Sequence, residues 1–372
     1  MMLNVIHLLQ KSKESYVVTP QTNTTLSEIA ERLKALDDFV ICGHVNPDGD
    51  CLGAQLGLYH ALKKLGKQVT CVLARNEPIE VGLQFLPGSE LLIPASTCSI
   101  KPRVFIAVDV PTLERIGDSS ILHDEASITF TIDHHAVETC MADFNYVDPD
   151  ASATCLLIWH LTGLMEARSR KVAHCCLTGL ITDTGRFAYQ NTDASSFAAA
   201  AEMMEWGADP TEVNLEFFQS RSLPSIELEK RTLEHMEFYE QGQFVLSYLS
   251  QNDFAQCGAV KADAEPLIDI LRSIRGVKVA LILRENEPGS VRGSLRAKDE
   301  STDVSKVARA FEGGGHKAAA GFTFYGSLDE ARSEVLTVVK RSCFADNSES
   351  LCTQATSVSS TRVLSEKGEP CE

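Results

Sequence analysis

The segment Phe39–Asp50, with the sequence FVICGHVNPDGD, contains the pattern from which the fold class can be inferred. Its first four residues are all apolar, which is typical of a strand buried on both faces of a parallel sheet. The octapeptide GHVNPDGD that follows is polar and contains two turn-forming glycines. Beyond it, apolar residues recur at helical spacings of four and three, at Leu52, Leu56, Tyr59 and Leu62. The pattern therefore predicts a buried strand, a polar turn and a helix that ends near Gly66.

The same alternation of short apolar runs and helical patterns continues through the first half of the chain. It predicts further strands at Val69–Leu73, Val104–Val108 and Ile128–Ile132. It also predicts helices at Leu26–Leu36, Ser152–Met165 and Lys171–Ile181, the second with Ser152 as its N-cap. Buried strands that alternate with helices indicate an α/β fold with a parallel sheet covered on both sides.

The second half predicts a smaller, mixed α/β domain. A boundary is indicated by WGADP at Trp206–Pro210 and by the turn at Arg221–Pro224. The elements expected after it are a long helix at Ile226–Tyr239, strands at Phe244–Leu249, Val277–Arg284 and Val291–Arg296, and helices at Asp303–Phe311 and Leu328–Val339. The predicted organisation is an N-terminal extension (1–25), a first domain (26–205), a linker (206–224), a second domain (225–342) and a disordered tail (343–372).

Length and charge narrow the classes of function. The chain has 372 residues and a formal net charge of −17, from 34 Lys and Arg against 51 Asp and Glu. This charge argues against binding long nucleic acid, which relies on a broad basic surface. It leaves open a positive pocket for a small anion, or carboxylates gathered around a cation. No segment approaches the roughly 18 consecutive apolar residues that span a membrane, and the N-terminus lacks a signal-peptide pattern. We therefore expect a cytoplasmic protein that contacts no membrane.

The cysteines are scattered, and many lie inside apolar runs. The chain contains 12 of them but no CxxC pair, which argues against a structural zinc site. A chain of this length with ample core residues also does not need a disulfide framework. Reduced core cysteines are the favoured interpretation.

Acidic and histidine residues are concentrated where the predicted strands end. The first strand leads into His44, Asp48 and Asp50, the third ends at Asp109, and the fourth leads into Asp133, His134 and His135. A further carboxylate, Asp183, closes a predicted helix in ITDTGRF. Because ligands of parallel sheets bind outside the carboxyl ends of the strands, these side chains are expected to meet in one crevice.

So many carboxylates together need a compensating positive charge, and divalent cations are the simplest source of it. Oxygen and imidazole donors favour manganese or magnesium over a zinc–thiolate site. One carboxylate that bridges two ions about 3.5–4 Å apart gives the arrangement of two-metal phosphatases and nucleases. Taken singly, each motif has another interpretation as a solvated turn or a helix cap. Their coincidence at four strand and helix ends favours the metal site.

These motifs resemble the DHH phosphoesterase family. The elements that carry the resemblance are GHVNPDGD, the VDV around Asp109, DHH at Asp133–His135 and TDTGRF in the first domain. In the second domain, GSLRAK and GGGHKAAAG resemble the DHH-associated C-terminal module. The resemblance covers roughly residues 26–342, and the two-domain size is similar to the branch of nano-RNases and pAp phosphatases. Those enzymes degrade very short RNA from the 3′ end or remove the 3′-phosphate of adenosine 3′,5′-bisphosphate (pAp).

The resemblance implies a role for each motif residue. One ion would be held by His44, Asp48 and Asp109, and the other by Asp50, Asp109, His134 and Asp183, with Asp109 as the bridge. The implied cofactor is two Mn²⁺ ions, with Mg²⁺ as the alternative. Asp133 would orient an imidazole, and His135 would stabilise the charge that develops on the scissile phosphate.

Cys51 departs from the family pattern, in which small residues ending in Gly-Ser commonly follow the first motif. The sequence CLGA stands here instead. A buried, inert thiol is the favoured interpretation, and an oxidation-sensitive thiol near the metals is the alternative.

The second domain is expected to bind the substrate. Backbone N–H groups for an anion are offered by Gly313, Gly314 and Gly315, beside His316. Arg296 can bind a terminal phosphate through two parallel hydrogen bonds. A flexible glycine turn is the competing interpretation. The predicted substrates are short oligonucleotides or nucleotides, and closure of the two domains over them is a hypothesis. Cyclic or linear dinucleotide hydrolysis and a non-catalytic nucleotide sensor remain alternatives. A homodimer is compatible with the sequence, which does not set the oligomeric state.

Overall fold

A computed structural model describes residues 21–135, 140–298, 301–315 and 317–344. The chain divides into two compact units, a first unit at Met1–Ser220 and a second unit at Arg221–Glu372. Among the described residues, no helix combines the length and apolar character that crossing a membrane would require.

The first unit is built on a sheet of six parallel strands, which confirms the predicted fold class. In chain order they are Phe39–Cys42 (β1), Val69–Leu73 (β2), Ile93–Pro94 (β3), Val104–Val108 (β4), Ile128–Asp133 (β5) and Phe144–Val147 (β6). Their order in the sheet is β3-β2-β1-β4-β5-β6, and every neighbouring pair is parallel. The chain moves outward from β1 to β3 and returns to the other side of β1 with β4. This reversal is where parallel sheets bind ligands.

Helices precede, connect and follow these strands, and buried side chains fill both faces of the sheet. The helices are Leu26–Ala35 (α1), Gly49–Lys64 (α2), Ser120–Glu125 (α3), Thr154–Leu164 (α4), Arg170–Asp183 (α5), Ala194–Glu205 (α6) and Pro210–Val213 (α7). The range 206–224, interpreted from the sequence as a linker, contains α7 and the π-helical turn Asn214–Phe218, and the division between the units falls within it.

Helices α2 and α5 approach each other closely because glycines face the contact. A Cβ atom on Gly49 would lie 2.4 Å from Thr182 Oγ1, and one on Gly53 would lie 2.5 Å from the Cys175 carbonyl oxygen. On the α5 side of the contact, a Cβ atom on Gly179 would lie 2.9 Å from the Cα atom of Asp50 in α2. Close packing of these backbones brings the first turn of α2 beside the last turn of α5.

The end of the predicted N-terminal extension packs against the edge strand β6. The Thr22 hydroxyl donates to the Val147 carbonyl (2.9 Å), and the Asn23 N–H donates to the Asn145 carbonyl (3.0 Å). Thr25 then caps α1 by accepting from the Glu28 N–H (3.1 Å). Residues 21–25 therefore cover a sheet edge that would otherwise present unpaired backbone groups.

The second unit combines helices with a mixed sheet, which confirms the predicted mixed α/β domain. Its strands are Glu237–Tyr239 (β7), Phe244–Leu249 (β8), Val279–Glu287 (β9), Ser290–Ala297 (β10), Gly314–Gly315 (β11) and Ala319–Tyr325 (β12). Their order is β11-β12-β10-β9-β8-β7, and only β8 and β9 are parallel. The helices are Leu223–Glu234 (α8), Gln251–Cys257 (α9), Leu267–Ser273 (α10), Ser305–Arg309 (α11) and Leu328–Val339 (α12). The tail predicted from 343 lies outside the described residues beyond Phe344.

Two local predictions are wrong. Ser152 is not the N-cap of α4, because Ala153 occupies that position and the Ser152 hydroxyl pairs with that of Ser196 at 2.8 Å. The helix predicted to reach Tyr239 ends at Glu234, and Glu237–Tyr239 instead pairs antiparallel with β8. Three residues are too few for periodicity to separate a strand from a helix end.

Candidate metal centre

The turn after β1 holds His44 and Asp48 in fixed positions. His44 is buried, with its Nδ1 atom 2.8 Å from the Val45 carbonyl oxygen. Asp48 caps α2, since its Oδ1 atom accepts from the N–H groups of Asp50 (3.1 Å) and Cys51 (3.0 Å). The other carboxylate oxygen, Oδ2, then lies 3.7 Å from His44 Nε2.

Asp109 follows β4 directly and lies at the centre of the cluster. Its Oδ2 atom is 3.4 Å from His44 Nε2, and its Oδ1 atom is 3.6 Å from His134 Nε2. The Thr154 hydroxyl also donates to Oδ1 at 2.8 Å. The backbone of Asp109 is left-handed, with φ at 58°, a conformation that costs a non-glycine residue roughly 1–2 kcal/mol. Such strain is found at functional sites, where the surrounding contacts hold it.

The end of β5 contributes Asp133, His134 and His135. Asp133 is fully buried, and its Oδ1 atom accepts from His135 Nδ1 at 2.7 Å. Its Oδ2 atom has no hydrogen-bond partner among the described residues. His134 Nδ1 lies 3.1 Å from the Ala151 carbonyl oxygen, so that its Nε2 atom faces the carboxylates.

Two further carboxylates come from helices. Asp50, in the first turn of α2, accepts from the N–H groups of Thr154 (2.7 Å) and Cys155 (2.8 Å), and it therefore caps α4 from outside. Asp183 is the last residue of α5, with its Oδ2 atom 3.9 Å from His134 Nε2. The structure thus brings all the first-domain residues singled out in the sequence to the carboxyl edge of β1, β4 and β5.

The buried carboxylates of the cluster carry more negative charge than the positively charged side chains around them can neutralise. Asp50, Asp109 and Asp133 are each 2% exposed or less. Within the part of the chain that the structure describes, the ion pairs of these carboxylates are with histidines rather than with Lys or Arg. Burial and the nearby charges of Asp109 and Asp183 raise the pKa of Asp50 well above its ordinary value. A bound cation would remove this penalty.

The histidines carry the compensating protons when no cation is bound. Burial lowers the pKa of His134, but Asp183, Asp50 and Asp109 outweigh it and raise the pKa to about 10. For His44, hydrogen bonds to Asp109 and Asp48 likewise outweigh burial and hold the pKa well above its ordinary value. Burial raises the pKa of Asp183 to about 6.

The donor atoms fit divalent cations. In each of three groups, the ligand atoms all lie within 4.8 Å of one another; these groups are His44, Cys51 and Asp109, then Asp109, His134 and His135, then Asp50, His134 and Asp183. Asp109 belongs to the first two groups and His134 to the last two. Carboxylate oxygens and imidazoles suit Mn²⁺ and Mg²⁺.

Metal binding is expected to release protons, because a histidine must lose its proton before it can ligate a metal. The raised pKa values of His44 and His134 mean that both are protonated near pH 7 without metal. We expect the apparent Mn²⁺ affinity to rise with pH through neutrality, by about tenfold per pH unit for each proton displaced. Calorimetric titration in buffers of different ionisation enthalpy measures this release. Equal heats in all buffers at pH 7 would contradict it.

Two residues that support the cluster were not predicted from the sequence. Thr154 donates to Asp109, and the side-chain amide of Asn191 donates to Asp183 Oδ2 at 3.2 Å and to the Ser152 carbonyl at 2.9 Å. Neither residue belongs to a motif: Thr154 lies 45 residues from Asp109 in the chain, and Asn191 follows Asp183 by eight residues in the connection between α5 and α6.

The second unit places its candidate residues on one sheet. Arg296 lies on β10, opposite Ala319 of β12, which in turn pairs with β11. The Gly313 N–H donates to the Ala308 carbonyl at the end of α11 (2.9 Å), so this N–H is already occupied. Gly315 has a φ of 134°, and a Cβ on Gly313 would lie 2.4 Å from the Gly321 carbonyl oxygen, so both positions need glycine for structural reasons. His316 lies outside the described residues.

Comparison with known proteins identifies the family. Residues 38–180 match the DHH family N-terminal domain, and residues 242–342 match the DHHA1 domain. A relative from Thermus thermophilus, named bifunctional oligoribonuclease and PAP phosphatase NrnA, is 30% identical over 84% of this chain and 92% of its own. The chain belongs to the DHH family. Its DHH domain carries every cluster residue up to His135, and Asp183 lies just beyond the matched range.

Two further similarities agree with this assignment. A second relative, from Mycoplasma genitalium, is also named bifunctional oligoribonuclease and PAP phosphatase NrnA. It is 29% identical to this chain over 80% of this chain and 92% of its own. The crystal structure of an exopolyphosphatase-related protein from Bacteroides fragilis superposes with a TM-score of 0.80 and 26% identity. It covers 87% of the DHH protein and 98% of its own chain.

Proposed function

We propose that this DHH protein is a metal-dependent phosphoesterase that hydrolyses short oligoribonucleotides from the 3′ end and removes the 3′-phosphate of pAp. The proposal rests on Asp109, which presents one carboxylate oxygen to His44 and the other to His134. A carboxylate with this environment suits a bridge between two cations. The names of the relatives from Thermus thermophilus and Mycoplasma genitalium support the substrates.

The proposed ligand sets are those that the resemblance to the family implies. His44, Asp48 and Asp109 would hold one ion, and Asp50, Asp109, His134 and Asp183 would hold the other. Two Mn²⁺ ions, when bound, would activate a water molecule and neutralise charge on the phosphate. The hydrogen bonds that Asp48 and Asp50 accept from backbone N–H groups fix these carboxylates before any ion arrives. Such prior positioning lowers the cost of binding.

The described cysteines are free thiols, which supports a cytoplasmic setting.

His135 is the proposed partner of the scissile phosphate. Burial lowers its pKa, but the hydrogen bond to Asp133 outweighs burial and raises it. The positive charge of a protonated His135, held in place by Asp133, would stabilise the negative charge that develops on the phosphate. Asp133 is therefore a positioning residue that acts through His135.

Asp133→Asn is expected to lower kcat by about 10–100-fold with little change in KM. Without the charge of Asp133, the pKa of His135 falls, so the protonated imidazole is lost at lower pH. The alkaline limb of the pH–rate profile should move to lower pH. A suitable control is Asp143→Asn, since Asp143 also accepts hydrogen bonds from β5, at Thr129, but lies at its other end. A kcat and pH profile equal to those of the wild type would remove Asp133 and His135 from the mechanism.

Arg296 is the proposed anchor for a terminal phosphate, and Gly314 and Gly315 lie on the same sheet with β12 between them and Arg296. Arg296→Ala is expected to raise KM for pAp by about 10–100-fold, since hydrogen bonds to charged groups contribute roughly 1.5–3 kcal/mol. The kcat should change little, because binding lost equally from ground and transition states affects KM. Lys298→Ala is the control, as Lys298 Nζ donates to the Ile274 carbonyl. Equal KM values for the two variants would reject Arg296 as the anchor.

Product analysis tests the proposed function directly. The full-length protein with Mn²⁺ is incubated separately with a 5′-labelled RNA trimer, pAp, a linear dinucleotide and a cyclic dinucleotide. Stepwise release of mononucleotides from the trimer and of AMP from pAp is expected. Turnover of the dinucleotides alone would replace the proposal by a dinucleotide phosphodiesterase. Binding without turnover of any substrate would favour a nucleotide sensor.

A further inference from the structure

Cys51 places a sulfur atom among the ligands proposed for the first ion. Its Sγ atom lies within 4.8 Å of donor atoms of both His44 and Asp109, and all three residues are buried. The three donors come from a turn, a helix and a strand end, so the group is created by the fold rather than by adjacency in sequence.

The local backbone is shaped to hold this sulfur in place. A Cβ atom on Gly43 would lie only 2.1 Å from Cys51 Sγ, so the sulfur occupies the space that a side chain at position 43 would need. The His44 N–H donates to Sγ at 3.2 Å. Burial and the negative charges of Asp109 and Asp48 raise the pKa of the Cys51 thiol well above its ordinary value, so the sulfur keeps its proton until a cation binds.

We propose that Cys51 is an additional ligand that lets the His44–Asp109 position capture thiophilic divalent cations such as Co²⁺, Zn²⁺ and Cd²⁺. On binding, the thiol proton passes to solvent and a sulfur lone pair forms the bond to the cation, with no change of oxidation state. Hard ions such as Mg²⁺ and Mn²⁺ gain little from sulfur, whereas softer ions gain a strong donor. The site therefore discriminates between metals, and thiophilic ions compete with Mn²⁺ at this position. The inference rests on the proposed function only in requiring a cation between His44 and Asp109.

Cobalt provides a readout that does not depend on catalysis. Metal-free, reduced full-length protein is titrated with Co²⁺ while the near-ultraviolet charge-transfer absorption of thiolate–Co²⁺ is recorded. We expect this band to develop with one of the two bound equivalents and to be lost in both Cys51→Ser and Cys51→Ala. The matched control is Cys71→Ser, because Cys71 is also buried but lies on β2 outside the donor groups found in the described residues. This control should retain the band.

A second measurement needs no variant. X-ray absorption of wild-type protein loaded with one equivalent of Zn²⁺ should show one sulfur neighbour at about 2.3 Å. Only nitrogen and oxygen neighbours, or a cobalt band that persists in both Cys51 variants, would overturn the inference.

Competition assays connect the site to turnover. The Cd²⁺ concentration that halves Mn²⁺-dependent hydrolysis should be at least about tenfold higher in Cys51→Ala than in Cys71→Ser, because a soft ligand has been removed. Turnover with Mn²⁺ but no sulfur ligation would refute this inference alone. Sulfur ligation without turnover of any phosphate ester would refute the proposed function alone.

Discussion

Asp109→Ala is expected to lower kcat/KM for the RNA trimer and for pAp by about 1000-fold or more. Loss of one group that stabilises the transition state commonly costs about 100–1000-fold, and Asp109 is proposed to serve both ions. Metal analysis after gel filtration should find no Mn²⁺ retained by the variant, because any remaining binding is too weak to survive the column. The measurement is steady-state hydrolysis at saturating Mn²⁺.

Two further variants separate the charge of Asp109 from its packing. Asp109→Asn keeps the side-chain shape and an oxygen that can accept from Thr154, but it removes the negative charge. It should be as inactive as the alanine variant. Asp124→Asn is the control, since Asp124 also lies beside a histidine, His123 at 3.0 Å, but is exposed on α3. More than a tenth of wild-type activity in Asp109→Asn would remove the bridge from the mechanism.

Saturating Mn²⁺ is expected to raise the melting temperature of the first unit by about 5–11 °C. An ion at 100 times its Kd that binds only the folded state adds about 2.7 kcal/mol to stability. For a unit of roughly 150–250 residues, each kcal/mol raises Tm by about 2–4 °C. The physical cause is relief of the like-charge repulsion among the buried carboxylates Asp50, Asp109 and Asp133.

Differential scanning calorimetry of the full chain, with EDTA or with Mn²⁺, measures this shift. The second unit holds none of the proposed ligands, so its own transition should stay constant and serve as an internal reference. Asp109→Asn should reduce the shift to less than about 2 °C. A wild-type Tm that is insensitive to Mn²⁺ at a concentration that supports hydrolysis would contradict a buried metal centre.

The central strands could be predicted residue by residue. Phe39–Cys42, Val69–Leu73 and Val104–Val108 were expected with the bounds that the structure shows. Continuous apolar runs are unambiguous when a strand is covered on both faces. The edge strands β3 and β6 escaped prediction because they are two and four residues long and include Pro94 and Asn145. Short segments interrupted by a proline or an asparagine carry no clear periodic signal.

For the candidate site too, some features could be predicted from the sequence and others could not. The residues that follow β1, β4 and β5 could be predicted, because parallel strands end at the same edge and their loops must converge there. The environment of each side chain could not. Asp48 and Asp50 are near neighbours in sequence, yet Asp48 caps its own helix and Asp50 caps α4, more than 100 residues away. That contact depends on how α4 packs beside α2.

From the amino-acid pattern alone we could predict the α/β class, the central strands of the first sheet, the family, and the set of carboxylates and histidines that gather at one edge. These features are encoded locally, by apolar periodicity and by residue types at strand ends. Three features became apparent only in the folded chain: Asp109 lies between His44 and His134, Thr154 and Asn191 support the cluster, and Cys51 shares a donor group with His44 and Asp109. Contacts between distant segments depend on the crossing of helices and the register of strands, which side-chain packing fixes across the whole unit.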